Sequence, residues 1–334
     1  MKALIIGGNG FIGSHLKNRL LQAGWYVRVL DLKEEVFRKS LDNAENIIGD
    51  YGNAELLRKA LDGIDFVFHL ACSTIPKTSN EEIIFDIKSN LIKTVVLLHE
   101  CVYAKIQRII FLSSGGTVYG IPQNSFVSEK HPTNPICSYG ITKLAIEKYL
   151  EMFYRLYGLD YVVLRGANIY GERQDPDGEL GAIAVFLKRA AEGRTINIWG
   201  HGDTVRDFLY VHDLTEAFFC AAIKILSERV FNIGSGQGLS LLKLIDCIMG
   251  VTCSKVRVEH FPSRKFDVPS ITLDINRASQ ILGWKPKVSL YDGITRTSEW
   301  INQILNEAGK CKYKLKIRAQ NTSIKIKVVV PAHQ

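Results

Sequence analysis

"ALIIGGNGFIGSHL", residues 3–16, decides the fold, because an apolar run ends in glycines and a helical pattern begins at once. Residues 3–6 predict a short buried strand, and apolar residues at helical spacing continue as far as Gly24. Three glycines stand between these two elements, where missing side chains let the backbone turn sharply: Gly7, Gly10 and Gly13. The stretch predicts a strand, a tight turn and a helix whose N-terminus can receive an anion.

The same alternation of strand and helix continues along the chain. Further strands are predicted at "YVRVLD", "IDFVFHLA", "RIIFLSS" and "DYVVLR", with helical patterns between them. Alternation at this interval indicates right-handed crossovers and a parallel sheet covered by helices on both faces. We therefore predict an α/β fold with a doubly wound parallel (Rossmann) sheet and a smaller, interlaced C-terminal substrate domain.

An acidic residue ends the second predicted strand. Asp31 lies eighteen residues after Gly13. A carboxylate at this place accepts hydrogen bonds from the adenosine ribose and repels a 2′-phosphate. The glycine turn and Asp31 together predict NAD as the cofactor, although Lys33 could favour the phosphorylated form.

Three regions are predicted. Residues 1–165 form an NAD-binding Rossmann domain, residues 166–308 a substrate lobe interlaced with it, and residues 309–334 a basic tail. The tail alternates like a strand or an unpaired basic arm. It carries seven lysines and arginines and no acid. Most of the net charge of +8 therefore lies in the tail, so no nucleic-acid-binding face is predicted.

The seven cysteines are scattered, without a C-x-x-C pair or a histidine at zinc spacing. Free thiols and no metal site are predicted from this pattern. The apolar run at the N-terminus is too short for a signal-peptide core or a membrane span. We expect a cytoplasmic protein.

Tyr139 and Lys143 lie four residues apart in "SYGITK", at the start of a predicted helix. Residues at this spacing share one helix face. An ammonium close to a phenol stabilises the phenolate, which makes a tyrosine usable as a base near neutral pH. Such pairs also arise by chance, so the position after the strand "RIIFLSS" is what makes this pair a candidate catalytic pair.

Seven motifs carry a family resemblance over about residues 1–305: "GGNGFIG", "FHLAC", "SSGGTVYG", "SYGITK", "RGANIYGERQ", "VRDFLYVHD" and "RKFDVPSITLD". Together they resemble the extended short-chain dehydrogenase/reductases, in the NAD-dependent epimerase/dehydratase branch that includes UDP-glucose 4-epimerase-like enzymes. The resemblance implies that Tyr139 acts as base and acid, and that Lys143 tunes it and holds the nicotinamide ribose. It also implies that the family members' homodimer forms through helices at about residues 90–104 and 139–156.

The sequence departs from the family at Gly115. Four residues before the tyrosine of "VYG" the family normally has a serine or threonine that assists the catalytic tyrosine. Gly116 and Thr117 follow, where dehydratases carry an acidic pair, so dehydration and decarboxylation lose support. The missing hydroxyl would come from Ser114, Thr117 or water, and Thr117 is favoured. Ser114 is expected beneath the nicotinamide, although strand-end hydrogen bonding is an equal alternative for Ser113 and Ser114.

The resemblance also implies the remaining binding residues. Asp50 and Tyr51 would flank adenine, Leu70 and Ala71 would lie beneath the pyrophosphate, and Asn90 would approach the cofactor from a helix. Lys93 stands where many relatives have glycine. The full predicted cofactor set is Gly7, Gly10, Phe11, Ile12, Gly13, Asp31, Asp50, Tyr51, Leu70, Ala71, Asn90, Tyr139 and Lys143.

Substrate binding is implied for Thr117, Asn168, Arg206 and Arg264. The last three match positions that hold the nucleotide diphosphate, and arginine pairs with two phosphate oxygens at once. Ile198 and Trp199 could line a nucleobase slot or pack in the core. Ile271 falls where epimerases limit the space beside the sugar 2-substituent, and its size would admit an N-acetyl group.

His69 and His212 lie in apolar runs and are predicted to be structural. The predicted function is an NAD-dependent 4-epimerase of UDP-glucose or UDP-N-acetylglucosamine, acting through a 4-keto intermediate in surface-polysaccharide precursor synthesis. Two alternatives stay open. One is an epimerase of a lipid-diphosphate sugar, held at the membrane by the basic tail. The other is an NAD-binding sensor that has lost the chemistry.

Overall fold

A computed structural model of the chain describes residues 1–37, 43–264 and 267–322, with side chains described as far as residue 307. The strands are β1 (Lys2–Ile6), β2 (Tyr26–Asp31), β3 (Ala44–Ile48), β4 (Phe66–His69), β5 (Arg108–Ser114), β6 (Phe126–Val127), β7 (Asp160–Gly166), β8 (Asn168–Tyr170), β9 (Ile196–Trp199), β10 (Val205–Tyr210), β11 (Val230–Ile233), β12 (Gly238–Ser240), β13 (Val258–Phe261) and β14 (Thr272–Leu273).

The helices are α1 (Phe11–Gln22), α2 (Ala54–Leu61), α3 (Pro76–Glu81), α4 (Ile83–Asp86), α5 (Lys93–Tyr103), α6 (Ser138–Tyr157), α7 (Ala182–Ala191), α8 (Val211–Ile223), α9 (Leu241–Thr252) and α10 (Leu290–Thr322). Two π-helical segments, Ile87–Ile92 and Ala278–Leu282, complete the helical structure of the described residues. The first of these joins α4 to α5 without a break.

Seven parallel strands form the main sheet in the order β3-β2-β1-β4-β5-β7-β11. The order reverses between β1 and β4, and ligands of open parallel sheets bind beside such a reversal, at the carboxyl ends of the strands. This arrangement confirms the predicted fold class. The sequence prediction missed β3, a strand with only partial burial.

Apolar side chains bury both faces of the sheet. On one face α1 and α8 pack over strand residues such as Ile5 and Val27, and on the other α2, α5 and α6 pack over Leu4 and Val67. Alternate residues of a strand point to opposite faces, so neighbours such as Leu4 and Ile5 enter different cores. The two faces fix the carboxyl edge of the sheet from both sides.

The second lobe is built around the three-stranded sheet β12-β10-β8 and the helices α7, α9 and α10. Its chain also supplies β11, which pairs with β7 at the edge of the main sheet. The two regions are therefore interlaced, while the division at residue 165 remains a prediction.

Part of the predicted tail departs from the expectation. α10 continues to Thr322, so the prediction of a strand or an unpaired arm was wrong for residues 313–322. Lysine, leucine, arginine and glutamine are good helix formers, and extending an existing helix costs less than starting one. The prediction for residues 323–334 lies outside the described residues. No described helix is both long and apolar enough to cross a membrane.

Candidate active site

The glycine turn brings β1 and α1 close to β4. Gly7 has φ +82°, and a Cβ there would lie 2.8 Å from the Ala71 nitrogen, next to Leu70. A Cβ on Gly13 would lie 2.3 Å from the Gly7 carbonyl oxygen. α1 begins at Phe11, and its cap residue Gly10 supplies no side-chain cap hydrogen bond. The turn thus leaves a side-chain-free cradle at a helix N-terminus, which fits a dinucleotide pyrophosphate.

Asp31 lies at the end of β2 beside this cradle. Its carboxylate accepts hydrogen bonds from the Asn9 nitrogen at 2.9 Å and the Lys33 nitrogen at 3.3 Å. These backbone donors fix the carboxylate at the place predicted for the adenosine ribose. Phe11 and Ile12, also predicted to bind the cofactor, line the large cavity next to the turn.

Lys93 forms an ion pair with Asp50 and lies 5.8 Å from the ring centre of Tyr51. Burial raises the pKa of Asp50, but hydrogen bonds from Lys93 and the Gly52 nitrogen outweigh it and lower this pKa overall. The Tyr51 hydroxyl donates to the Ser89 carbonyl at 3.0 Å. The lysine that replaces the family's glycine therefore holds the two residues predicted to flank adenine.

Asn90 spends its side chain within the protein. Its oxygen accepts from the Ser73 nitrogen at 2.9 Å, and its nitrogen donates to Thr74 and Asp86, each at 2.9 Å. The structure therefore places Asn90 as a support of the segment after β4. The predicted cofactor contact of Asn90 remains a prediction.

Tyr139 and Lys143 lie in the first turns of α6, on the face toward β5. The Lys143 Nζ is 5.6 Å from the Tyr139 ring centre and donates to the Leu112 carbonyl oxygen at 2.9 Å. Tyr139 lines the large cavity. Burial, followed by Cys72, Cys137 and Asp86, raises the pKa of Tyr139 well above 10. A phenolate therefore needs nearby positive charge, which Lys143 and a bound nicotinamide ring can supply.

The end of β5 separates the two serines. Ser113 donates to the buried carboxylate of Glu147, which also forms an ion pair with Arg165 at 2.6 Å. Ser113 is thus a structural residue. Ser114 and Thr117 instead line the cavity with Tyr139. The Thr117 hydroxyl is buried and has no hydrogen-bond partner among the described residues.

Gly115 does not belong to the described lining of the cavity. A Cβ on Gly115 would lie 2.6 Å from Leu273 Cδ1 and 3.0 Å from the Arg165 carbonyl oxygen. A side chain at this position would meet core atoms. Gly116, in contrast, lines the cavity, and a Cβ there would meet only Ser114 Oγ within 4 Å, at 4.0 Å.

The cavity has a volume of about 320 Å³ in a separate pocket near Pro286 and about 830 Å³ at the site that contains Tyr139. The larger cavity runs from Tyr139 to Arg206 and Arg264. Residues of both lobes wall it, and the Lys77–Glu179 ion pair at 2.6 Å joins α3 to the segment before α7.

The predicted diphosphate ligands lie together in this cavity. Arg206 donates to the Val205 carbonyl at 2.9 Å and takes part in no ion pair of the described residues. Burial lowers the pKa of Arg206, and Arg264 lowers it further against the opposing effect of Asp267. Arg264 pairs with Asp267 at 2.9 Å. Asn168 donates to the Asp207 carbonyl at 3.2 Å and also lines the cavity.

The remaining candidates divide between lining and core. Ile198 and Trp199 line the cavity, and the Arg264 guanidinium lies 4.7 Å from the Trp199 ring centre. Ile271 is 2% exposed, packs with Val118 and Leu273, and is not among the described lining residues. The expectation that Ile271 sets the space beside the sugar therefore has no geometric support.

His69 and His212 have structural partners. His69 Nε2 lies 2.8 Å from Thr94 Oγ1, and burial lowers the pKa of His69 to about 3. His212 Nε2 lies 3.1 Å from His15 Nδ1, and His15 Nε2 lies 2.9 Å from the Glu172 carbonyl. His15, Glu172 and His212 are close enough to be tested as metal ligands. Because these ring nitrogens already pair with each other and with the backbone, we assign no metal to them.

Sequence reasoning missed several residues around Tyr139. Ser79, Asn80 and Asp86 hydrogen-bond to the start of α6, although they lie more than fifty residues earlier in the chain. No local pattern signals such contacts, because they depend on how α3 and α4 pack against α6. Their donors, Ser138 and Thr142, do flank Tyr139 in the motif itself.

A parallel sheet with a glycine cradle at its order reversal, beside a tyrosine and lysine on one helix face, defines a dinucleotide-dependent enzyme of the short-chain dehydrogenase/reductase type. Residues 3–234 match the model of the NAD dependent epimerase/dehydratase family. The chain belongs to this family, which confirms the resemblance and the predicted cofactor.

Relatives and solved structures cover nearly the whole chain. A UDP-glucose 4-epimerase of Mycolicibacterium smegmatis is 36% identical over 307 residues, which is 90% of this chain and 98% of the relative. The crystal structure of UDP-glucose 4-epimerase with UDP-glucose from Thermotoga maritima has a TM-score of 0.87 and 38% identity, covering 91% of this chain and 100% of that one.

A third similar protein is the UDP-N-acetylglucosamine 4-epimerase of Methanobrevibacter ruminantium M1, in complex with UDP-N-acetylmuramic acid. It has a TM-score of 0.85 and 28% identity, covering 90% of this chain and 98% of that chain.

Proposed function

We propose that the protein is an NAD-dependent 4-epimerase of a UDP-linked hexose, interconverting the glucose and galactose configurations through a 4-keto intermediate. The single observation that carries the proposal is the unpartnered Thr117 hydroxyl in the same cavity as Tyr139, at the end of β5. A buried hydroxyl without a partner is costly, and a sugar hydroxyl would satisfy it. The 4-epimerases among the similar proteins support the same reaction.

Tyr139 is proposed to take the proton of the sugar 4-hydroxyl and later return it. Bound NAD would accept hydride from C4 and return it to the opposite face of the ring. The cation of Lys143 stabilises the Tyr139 phenolate, and its hydrogen bond to Leu112 keeps it beside β5. Thr117 hydrogen-bonds the sugar and replaces the hydroxyl that the family places at position 115.

Arg206 and Arg264 are proposed to bind the diphosphate. Arg206 is a partly buried cation whose pKa is lowered by burial, so an anion in the cavity would stabilise its charge. Asn168 would bind the same group from β8, and Trp199 would contact the base at the far end of the cavity. The distance from Tyr139 to the arginines through a cavity of about 830 Å³ suits an extended nucleotide sugar.

The test is to follow four UDP sugars by chromatography without added NAD: UDP-glucose, UDP-galactose and their N-acetyl forms. We expect conversion of at least one pair in both directions. Tyr139→Phe should reduce kcat by a factor on the order of 10² to 10⁴ while the protein still binds NAD. Tyr149→Phe, on the exposed part of the same helix, is the control and should keep full activity.

Absence of conversion of every sugar by NAD-loaded wild-type protein would reject the epimerase and favour an NAD-binding sensor. Conversion only of the N-acetyl pair would retain the reaction and change the substrate. Conversion of a lipid-linked sugar alone would support the membrane alternative.

The protein is further proposed to be a cytoplasmic homodimer. The six cysteines with described side chains are free, as expected in a reducing compartment. Apolar side chains remain exposed on α5, α6 and the π-helical segment that leads into α5, and a partner helix pair could cover them. These are Ile92, Tyr103, Ile141, Tyr149, Met152, Leu156 and Tyr157.

A further inference from the structure

Asp86 is a fully buried carboxylate at the end of α4, with 0% exposure. One of its oxygens accepts hydrogen bonds from the Thr74 hydroxyl and the Asn90 amide. The other accepts from the hydroxyls of Ser138 and Thr142, each at 2.7 Å. Four neutral donors therefore saturate this side chain.

The charge of Asp86 has no cationic partner among the ion pairs of the described residues. Burial raises the pKa of Asp86, but the hydrogen bonds of Thr74, Thr142, Ser138 and Asn90 together lower it below its ordinary value. A buried anion without a counter-ion costs free energy unless hydrogen bonds compensate. Both donors from α6 flank the candidate base: Ser138 precedes Tyr139, and Thr142 follows one turn later.

The start of α6 is held by the same region of the chain. Cys137, the residue before the helix, supplies no side-chain cap. Instead, Asn80 Oδ1 accepts from the Ser138 nitrogen at 2.9 Å, and Ser79 Oγ accepts from the Tyr139 nitrogen at 3.0 Å. Side chains of α3 and α4 therefore satisfy helix donors that a local cap usually satisfies.

Asp86 also reaches the cofactor side of the site. Through Asn90 and Thr74 it connects to residues 73–75, and Ile75 lines the large cavity. The same carboxylate thus joins the segment after β4 to the turn of α6 that carries Tyr139. A shift of either element would break hydrogen bonds to a buried charge.

We propose that Asp86 is a positioning residue for proton transfer, which fixes the first turn of α6 so that the Tyr139 phenol stays in register with the cofactor and the sugar. The inference rests on the proposed 4-epimerase function. Asp86 touches neither reacting group and acts through Ser138 and Thr142.

An amide cannot replace this carboxylate. In Asp86→Asn the new nitrogen would face two groups that now donate, so at least one hydrogen bond on one side of the residue is lost. The negative charge near Tyr139 is lost as well. The titratable groups that act on Tyr139 are Cys72, Cys137 and Asp86, with Lys143 beside its ring.

The experiment compares Asp86→Asn with wild type as NAD-loaded full-length protein. Asp213→Asn is the matched control, because Asp213 is also a buried carboxylate and accepts from the Lys287 and Val288 nitrogens at 3.0 Å. Hydrogen exchange of residues 138–143 is measured by mass spectrometry. The kcat and KM for the UDP sugar that wild type converts are measured across pH.

We expect Asp86→Asn to exchange the amides of residues 138–143 at least about ten-fold faster, because local opening follows the lost hydrogen bonds. We expect kcat to fall on the order of ten- to a hundred-fold with KM nearly unchanged, because a displaced base impairs the reaction more than binding. The acid limb of kcat should move to lower pH, because removing the negative charge lowers the Tyr139 pKa. Asp213→Asn should change none of these.

The proposal is overturned if Asp86→Asn matches wild type in exchange and kcat, or if Asp213→Asn produces the same changes. If wild-type protein converts no sugar, the proposed function fails, and the exchange measurement alone still decides whether Asp86 holds the first turn of α6.

Discussion

Gly115 and Leu273 approach each other so closely that a Cβ on the glycine would lie 2.6 Å from Leu273 Cδ1. Real Cβ atoms do not tolerate such a contact, and the Arg165 carbonyl oxygen closes the other side at 3.0 Å. The absence of the family hydroxyl at this position is therefore a packing feature of β5 and β14. Leu273 fills the space that a longer side chain at position 115 would need.

Restoring the family residue should harm this protein. Gly115→Ser is expected to lower the free energy of unfolding by about 1–3 kcal/mol through overpacking, without raising kcat. Chemical denaturation checks the stability, and Gly116→Ser is the control because its Cβ faces open space. A positive coupling with Leu273→Ala in a double-mutant cycle should show relief of the clash. A stable and faster Gly115→Ser enzyme would contradict this account.

Thr117 and Ser113 should give opposite results when their hydroxyls are removed. Thr117→Val removes an unpartnered buried oxygen, so stability should stay the same or rise while kcat falls on the order of ten-fold or more. Ser113→Ala leaves the Glu147 carboxylate short of a donor, so stability should fall by about 1–3 kcal/mol. Denaturation curves and initial rates on both variants decide it. Equal behaviour of the two variants would remove Thr117 from the reaction.

Arg206→Met should weaken nucleotide binding. KM for the UDP sugar is expected to rise on the order of ten- to a hundred-fold, the loss typical of a charge-assisted hydrogen bond. Stability without ligand should be retained, because the arginine is a partly buried cation outside the ion pairs of the described residues. The measurement is the rise in melting temperature on adding UDP. Arg194→Met, at an exposed pair with Glu192, is the control. A full UDP response in Arg206→Met would refute the assignment.

Stability should fall as the pH drops below about 6.5. Burial lowers the pKa of His15 from 6.5 to about 4, so the unfolded chain binds more protons between these values. The contribution is fully present above pH 6.5 and is lost as pH falls through about 4. On the order of 2–3 kcal/mol is expected to be lost over this window, and burial also lowers the His212 pKa, which acts in the same direction.

Denaturation curves at several pH values test the role of His15. His15→Gln should flatten the dependence, whereas His201→Gln, at an exposed turn, should leave it as in wild type. An unchanged slope in His15→Gln would show that other groups cause the pH dependence.

The proposed homodimer should dissociate when charge enters the exposed face of α6. Met152→Glu or Leu156→Glu is expected to shift the mass measured by light scattering from two chains to one, because an apolar interface does not accept an unpaired carboxylate. Ile225→Glu, at a fully exposed residue outside α5 and α6, is the control. A wild-type protein with the mass of one chain would reject the dimer.

The fold was predictable because its signals are local. Gly7 and Gly13 mark the turn by their own chain neighbourhood, and strands such as β5 are continuous apolar runs. β3 was missed because its burial is partial and its residues, including Glu45 and Asn46, do not alternate clearly. α10 was misjudged beyond residue 312 because a basic alternating pattern also fits helix-forming residues.

The site was predictable only in part. Tyr139 and Lys143 share a helix face by spacing alone, whereas the separate roles of Ser113 and Thr117 depend on which way each points from the end of β5. The core position of Ile271 and the hydrogen bonds of Asp86 depend on packing between distant segments. Sequence spacing carries no information about such contacts.

The strand β11, which the second lobe donates to the edge of the main sheet, limits how this enzyme can be taken apart or recombined. A fragment that stops after β7 would expose the backbone of a long edge strand and the apolar residues Phe231 and Ile233 would have no sheet to join. A chimera that grafts a new substrate lobe must therefore graft a compatible edge strand with it. Specificity in this architecture is inherited through point changes in the lining more readily than through exchange of whole modules.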